Sequence, residues 1–121
     1  MSNYCDLEIY QTAFKLAKNV HIASLRLPSF ELYEQGSQVR RSSKSIKDQI
    51  AEGYGRRRYK PELIKFLIYA QSSCDETTSQ LKMIVVLYPD IQDFPELLVE
   101  YEILGKKINN FIQYVETSWK T

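Results

Sequence analysis

Lysine and arginine gather near the middle of this chain in a pattern suited to holding phosphate. Arg56, Arg57, Arg58 and Lys60 follow one another almost without a break, Tyr54 and Tyr59 flank them, and Arg40, Lys44 and Lys47 precede them at helical spacing. Guanidinium and ammonium groups pair with phosphates, and a neighbouring tyrosine offers a face on which an unstacked base can lie. The set is therefore a candidate contact for RNA or DNA. It is equally compatible with a solvated loop and helix face, because basic runs are common at helix starts.

Other reactive side chains are sparse. Cys5 and Cys74 lack the number and spacing of a disulfide framework or a zinc site, and they read as a tail residue and a small core residue. His21 is the only histidine and has no second imidazole or carboxylate cluster to form a metal site or a proton relay. Asp48 and Glu52 make a lone pair one helical turn apart, too little to hold the metal of a nuclease. No nucleophile stands beside a base, so no enzymatic activity, cofactor or small-molecule substrate is expected.

The elements that must carry these residues are helical. Apolar positions recur at helical spacing from Asp6 to about Leu25, with Asp6 as a candidate N-cap, until Leu27, Pro28, Ser29 and Phe30 break the run. A second helix is expected over about Glu31 to Ala51, along the stripe Leu32, Gly36, Val39, Ser43, Ile46 and Ile50. Gly53 would stop it, and Gly53 and Gly55 would turn the chain through a left-handed cap. Pro61 suits the first turn of a third helix reaching Tyr88. Pro89 ends that helix, and Asp93 with Glu96 has the form of a capping box opening a fourth. The fourth carries the stripe Leu97, Tyr101, Leu104, Gly105, Ile108, Phe111, Ile112, Val115 and Trp119. No segment alternates with the period of a strand. One all-α domain over 1–121, an antiparallel up-and-down four-helix bundle, follows.

If helices two and three form a hairpin turning near Gly55, Arg41 falls opposite Ser72 and Ser73, one turn from Glu76. An Arg41–Glu76 pair completed by Ser45 and Ser73 is the expected register lock, and small residues such as Gly36, Ser42 and Ser43 would let the backbones approach.

A net charge of +1 excludes a globally basic nucleic-acid binder, so any such contact is local. The N-terminal residues lack the pattern of a secretory signal, and the longest apolar stretch, Met83 to Tyr88, is too short to span a bilayer. A cytoplasmic setting without membrane attachment is expected. Helix three opens with Leu63, Ile64, Phe66, Leu67, Ile68, Tyr69 and Ala70 nearly all round its circumference, more apolar surface than four helices alone bury, so a homo-oligomer is expected.

The stretch QVRRSSKSIKDQIAEGYGR, Gln38 to Arg56, resembles the signature of the four-helix-bundle proteins encoded by intervening sequences in bacterial 23S ribosomal RNA genes. Arg40, Arg41, Ser45, Ile46, Ile50, Ala51, Glu52, Gly53, Gly55 and Arg56 match its pattern, with Gln49 in place of the usual Asn. FLIYAQSSCDET, Phe66 to Thr77, looks like a second family block that keeps Phe66, Leu67, Ala70, Ser73 and Glu76, with Ser72 in place of Gly. The resemblance covers nearly the whole chain and extends to the accessory protein of diversity-generating retroelements. It implies an up-and-down bundle that assembles as a ring, typically a homopentamer, with suspected nucleic-acid binding and no catalysis. A ring would multiply a weak local patch into a basic rim. A structural or protein-interaction scaffold that ignores nucleic acid is the alternative.

Overall fold

The computed structural model of the chain describes residues 3–120; Met1, Ser2 and Thr121, at the margins of the expected 1–121 domain, lie outside the described residues. Four α-helices account for most of the chain: α1 Glu8–Ser24, α2 Gln35–Gly55, α3 Lys60–Leu87 and α4 Asp93–Ser118. Short 3-10 turns at Tyr4–Asp6 and Ser29–Tyr33 precede α1 and α2. There is no strand among the described residues.

Cross-contacts fix the direction of each helix. On the α1–α2 side Ser24 meets Arg40 and His21 meets Lys44. On the α2–α3 side Ser45 meets Ser73 and Ser42 meets Thr77. Cys74 meets Tyr101 and Lys60 meets Glu116 between α3 and α4, while Arg26 meets Asp93 and Glu8 meets Lys107 between α1 and α4. In every pair, residue numbers rise on one helix as they fall on the other. The bundle is therefore antiparallel and up-and-down, with each helix beside its chain neighbours and α1 closing onto α4.

The core follows the helical period. α1 buries Ala13, Leu16, Val20 and Ala23, α2 buries Val39, Ile46 and Ile50, α3 buries Leu63, Leu67, Leu81 and Ile84, and α4 buries Phe94, Tyr101, Leu104, Ile108 and Val115. Each set recurs at three- and four-residue steps, the spacing that places side chains on one face. α3 is less enclosed than its composition implies, because Ile68, Tyr69, Met83, Val86 and Leu87 all remain exposed.

Element ends depart from the sequence expectations for identifiable reasons. Asp6 does not cap α1. Its carboxylate accepts from the Asn3 backbone N–H at 3.0 Å while Asn3 Oδ1 accepts from Cys5 N–H at 2.7 Å, a capping box on the preceding 3-10 turn. α2 starts one turn late, because Glu31 is buried and its carboxylate accepts from the Tyr88 hydroxyl at 2.7 Å. Asp93 lies inside the first turn of α4, where it pairs with Arg26 at 3.4 Å, and the N-cap residue Gln92 makes no side-chain cap.

Neither Gly53 nor Gly55 has a positive φ, and α2 runs through both. Gly53 serves packing instead of a turn: a Cβ there would lie 2.9 Å from Phe66 Cβ and 3.3 Å from the Leu63 carbonyl oxygen. α2 and α3 thus touch backbone to side-chain root at this level. Further along, Thr77 Oγ1 donates to Ser42 Oγ at 2.9 Å, Ser42 Oγ donates to Gln80 Oε1 at 2.8 Å, and the Ser45 and Ser73 hydroxyls lie 3.1 Å apart.

Ser45, not Arg41, therefore sits opposite Ser73, a shift of one helical turn from the expected register, because the hairpin pivots beyond Gly55. Among the described residues the expected Arg41–Glu76 ion pair is not formed: both side chains are exposed along one groove with Gln38 and Gln80, and Glu76 accepts from Gln80 Nε2 at 3.4 Å. The register lock is a chain of small hydroxyls. Among the described residues, no helix is long and apolar enough to cross a membrane.

Candidate nucleic-acid interface

One end of the bundle is built from the loop between α2 and α3, residues 56–59, and from the last turn of α4. The antiparallel order requires this, since α2 and α4 point the same way and both finish here. Their C-terminal carbonyls carry the negative ends of two helix dipoles, and cationic side chains are drawn to them. Arg57 Nη1 donates to the Tyr54 carbonyl at 2.9 Å, and Lys60 Nζ donates to the Glu116 carbonyl at 3.1 Å. Part of the basic run is thus spent on closing helices.

Arg56 is likewise engaged. Its Nε donates to Glu52 at 2.8 Å and its Nη1 to Glu62 at 3.1 Å, while the guanidinium lies over the Phe66 ring at 4.8 Å. The hydrogen bond to Glu52, with the attraction of that carboxylate and the Glu62 contact added, outweighs the opposing effect of burial and leaves its pKa above the usual arginine value. Arg56 therefore staples α2 to the first turn of α3.

Arg40 lies away from this end. Half-buried on α2, it donates to Ser24 Oγ at 3.0 Å and to the Leu32 carbonyl at 2.6 Å, holding the α1–α2 connection. Lys44 lies 3.2 Å from His21 Nδ1, and Lys47 pairs with Asp48 at 2.7 Å and faces the Phe14 ring. These three lie along the α1–α2 side of the bundle and do not join Arg57 and Arg58.

Tyr54 and Tyr59 part company. Tyr54 is 5% exposed, with Arg57 stacked on its ring at 4.3 Å and Trp119 edge-on at 6.2 Å. It is a core residue and offers no face to a base. Tyr59 is 62% exposed, and its ring lies 5.9 Å from the Arg58 guanidinium. Arg58 makes no ion pair or hydrogen bond among the described residues.

Trp119 and Lys120 complete the end, which sequence reasoning missed. With Gly55, Arg57 and Arg58 they line a depression of about 410 Å³. Trp119 closes the α4 stripe in the sequence, and just past the helix end it packs half-buried against the core among Tyr54, Phe111 and Tyr114. The available signal was topological: an antiparallel bundle brings the end of α4 beside the α2–α3 turn.

Among the described residues, no group of three or more His, Cys, Asp or Glu side chains is placed to hold a metal ion. Asp48 and Glu52 are each occupied by a neighbouring cation. Burial pushes the Cys74 thiol up to about 12, with Asp75 adding to the effect, and Cys74 Sγ donates to the Tyr101 carbonyl at 3.4 Å. Among the described residues, the buried Tyr101 hydroxyl has no hydrogen-bond partner. Its burial holds it well above the usual phenol range, and the nearby Ser43 hydroxyl is donated to the Arg40 carbonyl at 3.1 Å.

An antiparallel four-helix bundle with a cationic, aromatic hairpin end is thus the class that fold and site define. The chain belongs to the 23S rRNA-intervening sequence protein family, whose sequence model matches residues 5–110. No curated protein matches it.

Proposed function

We propose that the protein is a non-enzymatic, homo-oligomeric bundle that binds RNA through the hairpin end, with Arg58, Tyr59 and Lys120 as the contacting residues and Arg57 beside them. The observation that carries this reading is a guanidinium, Arg58, that makes no ion pair or hydrogen bond among the described residues and lies beside the exposed Tyr59 ring, next to a depression that Lys120 also lines. Cation and aromatic together are what a nucleotide requires. Family membership supports an RNA-related role. Arg40, Arg56, Lys44, Lys47, Lys60 and Tyr54 fall out of the contact set, because each is engaged within the bundle.

Self-assembly is supported by the apolar side chains left outside: Ile68, Met83 and Val86 on α3, and Val99, Ile103 and Tyr114 on α4. A ring, as the homopentamer that the family resemblance implies, would repeat the small cationic end around one axis and raise its avidity.

Light scattering after size exclusion, with and without a mixed RNA at low and high salt, tests both parts. An oligomer several times the 14.2 kDa chain mass that retains RNA at low salt and releases it at high salt is expected. Arg58→Ala with Lys120→Ala should abolish retention and leave the oligomer intact. An oligomer that ignores RNA at low salt would make the protein an interaction scaffold, and a monomer would overturn the assembly.

A further inference from the structure

The geometry points to unpaired RNA, not duplex, as the ligand of the hairpin end, with one base stacked on Tyr59 and its phosphates held by Arg58 and Lys120. This rests on the RNA-binding reading above.

The first argument is the number of cations that remain. Arg56 is held by two carboxylates, Arg57 by the Tyr54 carbonyl and ring, and Lys60 by the Glu116 carbonyl. Arg58 and Lys120 keep their charged groups clear of any ion pair or hydrogen bond among the described residues, and both line the same depression. A duplex presents phosphates on two strands, and binding it through charge requires an extended array of cations. The two neighbouring cations of any one subunit match a short run of one strand.

The second argument is the aromatic face. Tyr59 is exposed in the loop, its backbone N–H already donated to the Arg56 carbonyl at 2.9 Å, so the ring is presented on a fixed turn. A tyrosine face can stack only on a base whose own face is open, which bases inside a duplex are not. Tyr59 does not line the depression itself, but Arg58, whose guanidinium lies 5.9 Å from the Tyr59 ring, does, so ring and depression adjoin. Gly55 contributes no side chain to its wall, and a Cβ there would meet nothing within 4 Å.

Anisotropy of a labelled oligoadenosine of about twelve nucleotides, and of an RNA duplex of the same length, tests the inference on the full chain. The single strand should bind more tightly, with a salt slope near −1.4 per engaged subunit, from about −0.7 for each of two neutralised phosphates. Tyr59→Ala should weaken single-strand binding about 5- to 150-fold, the range that one stacked base contributes, and Tyr59→Phe should restore it. Trp119, the only tryptophan, lines the depression, and its fluorescence should change on addition of the single strand. Equal or tighter binding of the duplex, or a Tyr59→Ala variant that binds as the native chain does, overturns the choice of unpaired RNA while leaving RNA binding standing. Failure to bind either RNA overturns both.

Discussion

Replacing Gly53 and Gly55 by alanine, one at a time, separates the packing role of a glycine from its conformational role within a single turn of α2. Both lie in the last turn with φ outside the positive range, so alanine is conformationally acceptable at each. Each exchange should recover helix propensity, up to about 1 kcal/mol. The difference is space. The new methyl at 53 would lie 2.9 Å from Phe66 Cβ, where carbon atoms prefer about 3.5–4.0 Å, and 3.3 Å from the Leu63 carbonyl oxygen. Both neighbours sit at the root of α3, so relief requires the two helices to separate, at an overpacking cost of about 1–3 kcal/mol. At 55 the methyl meets nothing within 4 Å.

The propensity gain is common to both variants, so Gly53→Ala should be less stable than Gly55→Ala by about 1–3 kcal/mol. With about 2.1 cal/mol/K of unfolding entropy per residue, a chain of 121 residues shifts its melting temperature by roughly 4 °C per kcal/mol. The pair should therefore melt about 4–12 °C apart by calorimetry at one fixed protein concentration, which holds any assembly effect constant. Coincident melting curves would refute the claim that close approach of α2 and α3 is what Gly53 provides.

Arg40→Ala should cost about 1.5–3 kcal/mol, because it removes charged hydrogen bonds to Ser24 and to the Leu32 carbonyl, whereas Arg41→Ala should change urea stability little; the reverse order would restore Arg41 as the register lock. A thiol reagent at mildly alkaline pH should label exposed Cys5 quickly and Cys74 only after denaturation, since burial holds that thiol up near about 12; equal rates would mean that the α3–α4 seam opens readily. The hydrogen bond from Tyr88 to the Glu31 carboxylate, with burial second, pushes the Tyr88 hydroxyl up to about 12. A group raised in the folded state stabilises fully below its unfolded value near 10, and that contribution is lost as pH rises from about 10 to 12. Denaturant titrations should therefore show stability falling across that window, with Tyr88→Phe removing up to one proton from the slope and the raised Tyr101 and Cys74 leaving the remainder. An unchanged slope would mean that Tyr88 does not report on Glu31.

What could be read from the sequence here was whatever depends on periodicity. The stripes Gly36–Val39–Ser43–Ile46–Ile50 and Leu97–Tyr101–Leu104–Ile108 are buried as spaced, because a helix presents the same face at three- and four-residue steps whatever its neighbours are. Breaker residues were read less well. Gly53 and Asp93 each have two physical uses, and only the neighbouring helix decides between them: Phe66 makes Gly53 a contact point, and Arg26 makes Asp93 an ion-pair partner. That ambiguity carried over into the register. Placing the turn at Gly55 put Arg41 opposite Ser73, whereas the observed pivot puts Ser45 there; Arg41 and Glu76 then line one groove, exposed and without pairing.

The candidate site shows the same limit from the side of charge. A run of cations in a sequence states how much charge is present, not how much is available. Two helices end at this loop, and each end presents unsatisfied carbonyls that recruit the nearest cation: Arg57 for α2 and Lys60 for α4. Glu52 and Glu62, one turn to either side of the loop, recruit Arg56. What the fold leaves over is Arg58, and to it the fold adds Lys120 and Trp119 from the far end of the chain, which no local motif connects to the run. The capacity of this end for a ligand is therefore set by the difference between the cations that the loop supplies and those that its own helix termini consume. That difference is small, so on the proposed reading each subunit alone should hold RNA weakly, and assembly would be the condition under which a site of this size could function.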